Sequence, residues 1–263
     1  MRTPFATLHD GPLPLLLPNA WDVPSALAFL AAGHPAIGTT SQGVSAGLGR
    51  PDGGRATREA NLALARALVR LPVPVSMDIE DGYDDDPAAV AAYVAELAAL
   101  GIAGVNLEDS ADAHLVDPAA YAAKVAAVKE RAPDVFVNSR VDTYWFHEEE
   151  TVDGTLARAT AYVEAGADGV FCPGLTDPDA IRAITAALTV PVNLLPIAGL
   201  SLADHGALGV RRVSTGSLPY RTAIAAAVAV ADAVREGRPP AEAVPYPELQ
   251  SRLAAYAEAR RIT

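Results

Sequence analysis

Short apolar runs of strand length alternate along this chain with longer alanine-rich segments, and the alternation is repeated eight times in 263 residues. The strand-like runs cover residues 15–22, 36–41, 73–80, 104–109, 135–142, 169–174, 190–196 and 211–216. Strands that alternate with helices form βα units around a parallel sheet. Eight such units, with Gly and Pro at the joints, fit a closed barrel better than an open doubly wound sheet. The sequence therefore predicts an α/β fold, a (β/α)8 TIM barrel.

The segments between the runs carry helix start and stop signals. Three of them begin with an aspartate followed by proline, at Asp86, Asp117 and Asp177. Aspartate can cap the helix there, and proline is tolerated in the first turn. We predict a single domain over residues 1–263, with the barrel core at about 15–236 and an additional C-terminal helical tail at 237–263.

Composition excludes several classes of partner. The net charge is −12, so the chain lacks the basic face that neutralises phosphates on a nucleic acid. A single cysteine, Cys172, excludes an internal disulfide and fits a reducing compartment. No apolar run approaches the roughly 18 residues needed to cross a bilayer. We therefore expect a cytoplasmic protein that binds neither nucleic acid nor membrane.

The residue inventory also excludes several chemistries. The two lysines, Lys124 and Lys129, lie in a helix-like run, which leaves no nucleophile for Schiff-base chemistry. The five histidines form no HxH or HxxxH pair, and neither a GxxxxGK loop nor a GxGxxG placed after a strand occurs. Carboxylates are therefore the abundant side-chain groups that remain as candidates for the chemistry.

Acidic residues are dense at the ends of the third and fourth strand-like runs. Asp78 and Glu80 end one run and Glu108 ends the next, while Arg140 follows one strand further. Active sites of such barrels lie at this face, and converging carboxylates need a cation among them. An all-oxygen site indicates Mg²⁺ or Mn²⁺ rather than zinc. Arg140 can clamp a substrate carboxylate through two hydrogen bonds.

Seven segments in order resemble the isocitrate lyase/phosphoenolpyruvate mutase superfamily, from about residue 15 to about residue 220. They are PNAWD, GTTSQGVSAGLGRPDG, VSMDIEDGY, GVNLEDS, VNSRVD, ADGVFCPG and VPVNLLP. The resemblance implies a Mg²⁺-dependent barrel that makes or breaks a bond, usually carbon–carbon, next to a 2-oxo acid. It also implies a homo-oligomer, commonly a tetramer, in which the last barrel helix is exchanged, so that the tail beyond residue 217 packs on a neighbour.

The resemblance implies roles for individual residues as well. Asp78 corresponds to the direct metal ligand, and the metal's waters would be held by Glu80, Glu108 and Asp52. The substrate would be bound by Arg140, Asn193, Thr40 and Ser41, with Arg140 and Glu108 in the catalytic centre.

Departures from the family pattern reduce the number of reactions that this chain is expected to catalyse. Isocitrate and methylisocitrate lyases carry a KxCGH loop after the fourth strand, where this chain has SADAHLVDP, so neither activity is expected. The lysine and asparagine of the mutase and phosphonopyruvate hydrolase loop are also absent. Glu80 stands where aspartate is usual, and Pro173-Gly174 replace an acidic position.

Other candidates have two interpretations each. His114, in the loop that would gate the site, and His147 are each either a general acid or base or a surface residue. Trp21 and Tyr83 either line the pocket or pack in the core, and Cys172 is interpreted as a core thiol. Two turn glycines, Gly199 and Gly216, occupy the usual phosphate-binding location of barrels, which would suit a phosphosugar enzyme.

Three hypotheses follow. The first is a Mg²⁺-dependent lyase or hydrolase of small 2-oxo or 2-hydroxy dicarboxylates, such as oxaloacetate or a substituted malate. The second is a catalytically silent 2-oxo acid binder that has lost the gating chemistry. The third is a Mg²⁺-dependent aldol enzyme of the ketopantoate-forming type.

Overall fold

A nine-stranded, entirely parallel sheet forms the centre of the computed structural model, which describes residues 3–259. Its strands and those of one small hairpin, β6–β7, are β1 (Leu15–Leu17), β2 (Asn19–Ala20), β3 (Ile37–Thr39), β4 (Val75–Asp78), β5 (Gly104–Glu108), β6 (Ser110–Ala111), β7 (His114–Leu115), β8 (Phe136–Arg140), β9 (Gly169–Phe171), β10 (Val192–Leu194) and β11 (Arg212–Ser214).

The helices of the described residues lie between and after these strands. They are α1 (Pro4–Thr7), α2 (Val23–Ala31), α3 (Ser41–Gly47), α4 (Arg58–Leu68), α5 (Pro87–Leu100), α6 (Pro118–Arg131), α7 (Thr143–Phe146), α8 (Val152–Glu164), α9 (Pro178–Ala187), α10 (Leu202–Ala207), α11 (Leu218–Arg235) and α12 (Tyr246–Glu258).

The sheet closes through its first stave, which Pro18 divides into β1 and β2. Leu15 on β1 pairs with Arg212 on β11, and Asn19 on β2 pairs with Gly38 on β3. The remaining strands follow in the order β11-β10-β9-β8-β5-β4-β3, so eight staves complete the circle. The predicted (β/α)8 barrel is therefore confirmed, and each of the eight strand-like runs contains a strand.

The predicted helix starts are also observed. The side chains of Asp86, Asp117 and Asp177 accept hydrogen bonds from backbone N–H groups at the starts of α5, α6 and α9. Below the strands, α1 inserts Phe5 against Leu17 and Phe136, and this apolar cluster closes the amino-terminal end of the barrel. The opposite, carboxyl-terminal end is left open for a site.

The last two helices differ in how they pack. Helix α11 presents apolar side chains to solvent, with Val228 58% and Val234 66% exposed. Helix α12 returns to the barrel, where the hydroxyl of Tyr256 donates to the Ala67 carbonyl at 3.0 Å and Arg70 lies over the Tyr256 ring. Residues 260–263 of the predicted tail lie outside the described part of the chain. Between residues 3 and 259, no helix combines the length and apolarity that a membrane span requires.

Candidate active site at the carboxyl end of the barrel

A cavity of about 860 Å³ opens at the carboxyl ends of the strands. Among its lining residues are seven that the sequence singled out: Thr40, Ser41, Asp52, Asp78, Glu80, Glu108 and Arg140. They come from separate loops and strand ends, because the carboxyl ends of parallel strands meet at one face of a barrel.

Asp78 ends β4 in a tightly bonded position. Its carboxylate accepts a hydrogen bond from the Ser41 backbone N–H at 2.9 Å, and its own N–H donates to the Thr39 hydroxyl at 2.8 Å. The Asn61 side chain holds the Asp78 carbonyl at 2.7 Å. Burial raises the pKa of Asp78, and the Ser41 N–H and the Arg140 charge oppose that rise. The carboxylate is therefore fixed in place but short of positive charge.

Glu80 follows in a backbone conformation that non-glycine residues rarely adopt, with φ at 51°. This turn directs its carboxylate to the Thr57 hydroxyl and to the Arg55 N–H, the latter at 3.1 Å. Only 4% of Glu80 is exposed, and burial raises its pKa. Strained residues of this kind concentrate at functional sites, where the surrounding contacts hold them.

Glu108 and Arg140 are paired across neighbouring strands. They are register partners on β5 and β8, and Arg140 Nη1 donates to the Glu108 carboxylate. Arg140 Nε donates to Asp142 Oδ1 at 2.6 Å, while the Ser110 hydroxyl occupies Asp142 Oδ2 at 2.6 Å. Asp142 is fully buried. It therefore orients the guanidinium toward the cavity.

The electrostatics of the cavity favour a bound cation. Burial raises the pKa of Glu108 well above its usual range, and the nearby carboxylates Asp142 and Asp78 raise it further against the opposing Arg140. Within residues 3–259, however, no three acid, His or Cys side chains are arranged as a ready set of metal ligands. The expected convergence of three carboxylates on one ion is therefore not observed, because Asp78, Glu80 and Glu108 each bind their own protein partner. The all-oxygen donors fit a hydrated Mg²⁺ or Mn²⁺ held through one carboxylate and bound water.

Three of the predicted site residues do not line the cavity. The Trp21 ring packs edge-on against Tyr220 at 5.4 Å. Asn193 is fully buried inside the barrel, and neither of its amide atoms has a hydrogen-bond partner. His114, on β7, has a side chain that is 77% exposed, and its Nδ1 lies 2.6 Å from Glu148. The structure therefore does not bring these three residues to the cavity lining with the other seven.

The remaining candidates are mostly structural. The His147 side chain is 75% exposed beside Glu150, and Cys172 is a buried thiol whose pKa is raised by burial. Tyr83 is buried beneath the site, where it accepts a hydrogen bond from Asn61. Gly216 lines the cavity, with its N–H donating to Asn19 at 2.9 Å in a turn.

Sequence reasoning missed several lining residues. The hairpin turn between β6 and β7 contributes Ala111, Asp112 and Ala113, and the floor includes Asn106 and Ser214. Arg221, near the start of α11, also lines the cavity. Its position just after the eighth strand was the one signal that could have identified it from the sequence.

The fold and this cavity define a (β/α)8 barrel with an acid- and arginine-lined site at the carboxyl ends of its strands. A family model described as phosphoenolpyruvate phosphomutase matches residues 5–235. The chain belongs to this family, within the phosphoenolpyruvate mutase/isocitrate lyase superfamily.

Individual relatives agree with this assignment. An uncharacterized protein of Mycobacterium tuberculosis strain H37Rv is 56% identical over 252 residues, which cover 96% of each chain. An oxaloacetate decarboxylase of Bradyrhizobium is 32% identical, covering 72% of this chain and 69% of that protein.

Solved structures give the same result. A putative phosphonomutase from Burkholderia cenocepacia is similar with a TM-score of 0.82 and 39% identity, over 87% of this chain and 97% of that one. A phosphonopyruvate hydrolase in complex with oxalate and Mg²⁺ is similar with a TM-score of 0.84 and 25% identity, over 98% of both chains.

Proposed function

We propose that this protein is a Mg²⁺-dependent enzyme that cleaves or forms a carbon–carbon bond next to a 2-oxo or 2-hydroxy acid, with a small dicarboxylate as substrate. The observation that carries the proposal is the position of Arg140. Its guanidinium is held by Glu108 and Asp142 in a cavity that also contains the half-buried Asp78 carboxylate. An arginine suited to bind a substrate carboxylate and an aspartate suited to hold a metal ion thus share one cavity.

Each residue has a role in this proposal. Arg140 binds one substrate carboxylate, and the Thr40 and Ser41 hydroxyls bind the other oxygens, because the Ser41 N–H already donates to Asp78. Asp78 would hold the metal directly, with Glu80, Glu108 and Asp52 on its waters. When bound, Mg²⁺ supplies stabilisation of the negative charge that develops on the 2-oxo oxygen. The oxaloacetate decarboxylase relative and the oxalate complex of the hydrolase support a substrate of this class.

The loop after β5 argues against true isocitrate or methylisocitrate lyase activity. It forms the β6–β7 hairpin, which contains neither lysine nor cysteine, and His114 does not line the cavity. We propose that a group already in the cavity, or a bound water, carries out the proton transfer that the loop cysteine performs in those lyases. Oxaloacetate, whose cleavage products are small, is the first substrate to test.

We also propose that the chain is a single domain and assembles as a homo-oligomer in the cytoplasm. The apolar face of α11, which includes Ile224, Val228 and Val234, is exposed in the single chain. Covering this face with a second copy would remove apolar surface from water.

The test combines turnover with ligand binding. Oxaloacetate and substituted malates are supplied with Mg²⁺ or with chelator, and pyruvate and oxalate are measured by coupled assays. We expect turnover with Mg²⁺ and a loss on the order of 100-fold in Arg140→Ala, because a charged hydrogen-bonded contact contributes about 3 kcal/mol. The matched control is Arg182→Met, which removes an exposed arginine that does not line the cavity.

Binding is measured separately from turnover. Oxalate at 100 times its Kd should raise the melting temperature only when Mg²⁺ is present, and Asp78→Asn should abolish that shift. No turnover of any dicarboxylate, together with equal stabilisation in chelator, would refute the proposed function. Stabilisation with Mg²⁺ but without turnover of any substrate would identify a silent binder.

A further inference from the structure

Arg212 crosses the interior of the barrel beneath the cavity. The residue lies on β11 and is 1% exposed. Its Nε donates to the Ser214 hydroxyl at 2.9 Å, and its Nη2 donates to Asn106 Oδ1 at 3.2 Å. Asn106 lies on β5, four staves away from β11 around the sheet. The guanidinium is therefore suspended across the barrel, on its inner side.

The layer that contains Arg212 is polar, although branched apolar residues usually fill the inside of such barrels. Glycines on β9 and β3 leave room for two buried asparagine side chains, Asn138 and Asn19. A Cβ added at Gly169 would lie 2.9 Å from Asn138 Oδ1, and one added at Gly38 would lie 2.8 Å from Asn19 Nδ2. The layer lies directly under the cavity, because both partners of Arg212, Asn106 and Ser214, line it.

Within the described part of the chain, no ion pair neutralises the charge of Arg212. Across residues 3–259, no carboxylate lies within 4.0 Å of its guanidinium nitrogens, and Nη1 has no hydrogen-bond partner. Its register partner on β10, Asn193, also has an unpartnered amide. Burial lowers the pKa of Arg212 to about 9, against the opposing charge of Asp78, so the side chain is cationic at neutral pH.

The acid that interacts electrostatically with this cation is Asp78, which ends β4. Asn106, which holds Nη2, is the register partner of Asp78, and neighbouring strands lie about 4.8 Å apart. We propose that Arg212 is a fixed internal cation that weakens divalent-metal binding in the cavity and strengthens the binding of the anionic substrate. This inference rests on the proposed function, since it assigns a role toward the metal and the dicarboxylate of that same site.

The physical reason is the sign of the charge. A fixed positive charge bonded to a residue of the cavity lining repels a dication and attracts a dianion, and little solvent screens it inside the barrel. The substrate must bring its own negative charge before the metal is held firmly. Arg212 thereby favours a site in which metal and substrate bind together.

The experiment measures both ligands on the same variants. Mn²⁺ affinity is measured by titration followed with electron paramagnetic resonance, and oxalate affinity by calorimetry at saturating Mn²⁺. In Arg212→Met, which removes the charge but keeps an extended side chain, we expect the Kd of Mn²⁺ to fall on the order of tenfold and the Kd of oxalate to rise similarly. Arg212→Lys, which keeps the charge, should stay within about twofold of wild type.

Opposite changes in the two affinities separate this role from a structural one, because a distorted cavity would weaken both ligands. Arg182→Met, the same substitution on the surface, should change neither. If Arg212→Met does not fold, Arg212→Gln removes the charge while keeping a hydrogen-bonding side chain, and the same opposite changes are expected.

Two results would overturn the inference. Unchanged or weaker Mn²⁺ binding in the neutral variant overturns it while leaving the proposed function intact. Failure of the wild-type protein to bind Mn²⁺ even in the presence of saturating oxalate overturns the metal-dependent function and this inference together.

Discussion

Replacing Arg158 with methionine should destabilise the protein and loosen the loop that carries the β6–β7 hairpin. Arg158, on α8, is 5% exposed. Its Nη1 donates to Asp109 Oδ2 at 3.3 Å and to the Val116 carbonyl at 2.9 Å, and its Nε donates to Glu149 at 2.8 Å. These contacts connect the helix to both ends of the hairpin loop.

The magnitude follows from the burial of each partner. Asp109 is fully buried, and removing one member of a buried ion pair typically costs about 3–5 kcal/mol. Glu149 has a side chain that is 56% exposed, so its contact adds little. Burial already raises the pKa of Asp109 to about 6, so the orphaned carboxyl can take up a proton at modest cost. We therefore expect a net loss of about 3 kcal/mol.

The assay is urea unfolding, followed by circular dichroism and by fluorescence, together with thermal melting. A loss of this size should lower the melting temperature by about 6–12 °C in a chain of this length. Arg182→Met serves as the control, because its pair with Asp179 is exposed and should contribute almost nothing.

A double-mutant cycle identifies the source of the loss. Asp109→Asn should cost less in the Arg158→Met background than in wild type, with a coupling of at least about 1 kcal/mol. The reasoning is refuted if Arg158→Met loses under about 1 kcal/mol, or if the two substitutions are additive.

Two further predictions concern the site and the assembly. Asp142→Asn should lower kcat/KM by about 10- to 100-fold, because Asp142 orients Arg140. The Mn²⁺ affinity, measured by titration, should stay within about twofold, because Asp142 does not face the metal. A larger loss of Mn²⁺ binding would contradict this prediction. Val228→Glu should shift the mass measured by light scattering toward that of the monomer, because it places a charge on the exposed apolar face of α11. The control Leu13→Glu should leave the mass unchanged. A monomeric wild-type protein would contradict this prediction.

The barrel could be predicted from the sequence because strand and helix signals recur with the same period. Each apolar run is bounded by turn residues, and the Asp-Pro pairs mark helix starts that the structure reproduces. The β6–β7 hairpin could not be predicted in this way. Its turn places Asp112 and Ala113 at positive φ, and neither residue carries the glycine signal on which such turns are usually recognised.

The site was predicted unevenly for a related reason. Asp78, Glu108 and Arg140 stand at strand ends, where their spacing alone places them at the cavity. His114 was a candidate because of its loop, but the loop folds into a hairpin in which the exposed ring contacts Glu148 and does not line the cavity. Arg212 was not identified, since an arginine within an apolar strand pattern does not reveal whether it faces solvent or the inside of a closed barrel.

The alternating direction of side chains along a strand explains the different roles of neighbouring charged residues at these strand ends. Successive side chains of a strand point to opposite faces. Glu108 therefore faces the cavity and Arg140, whereas Asp109, the next residue, faces the helix layer and binds Arg158 and the Tyr162 hydroxyl, the latter at 2.7 Å. One acid serves the site and its neighbour anchors the wall behind it. Substitutions at the inward acid should consequently change ligand binding, and those at the outward acid should change stability.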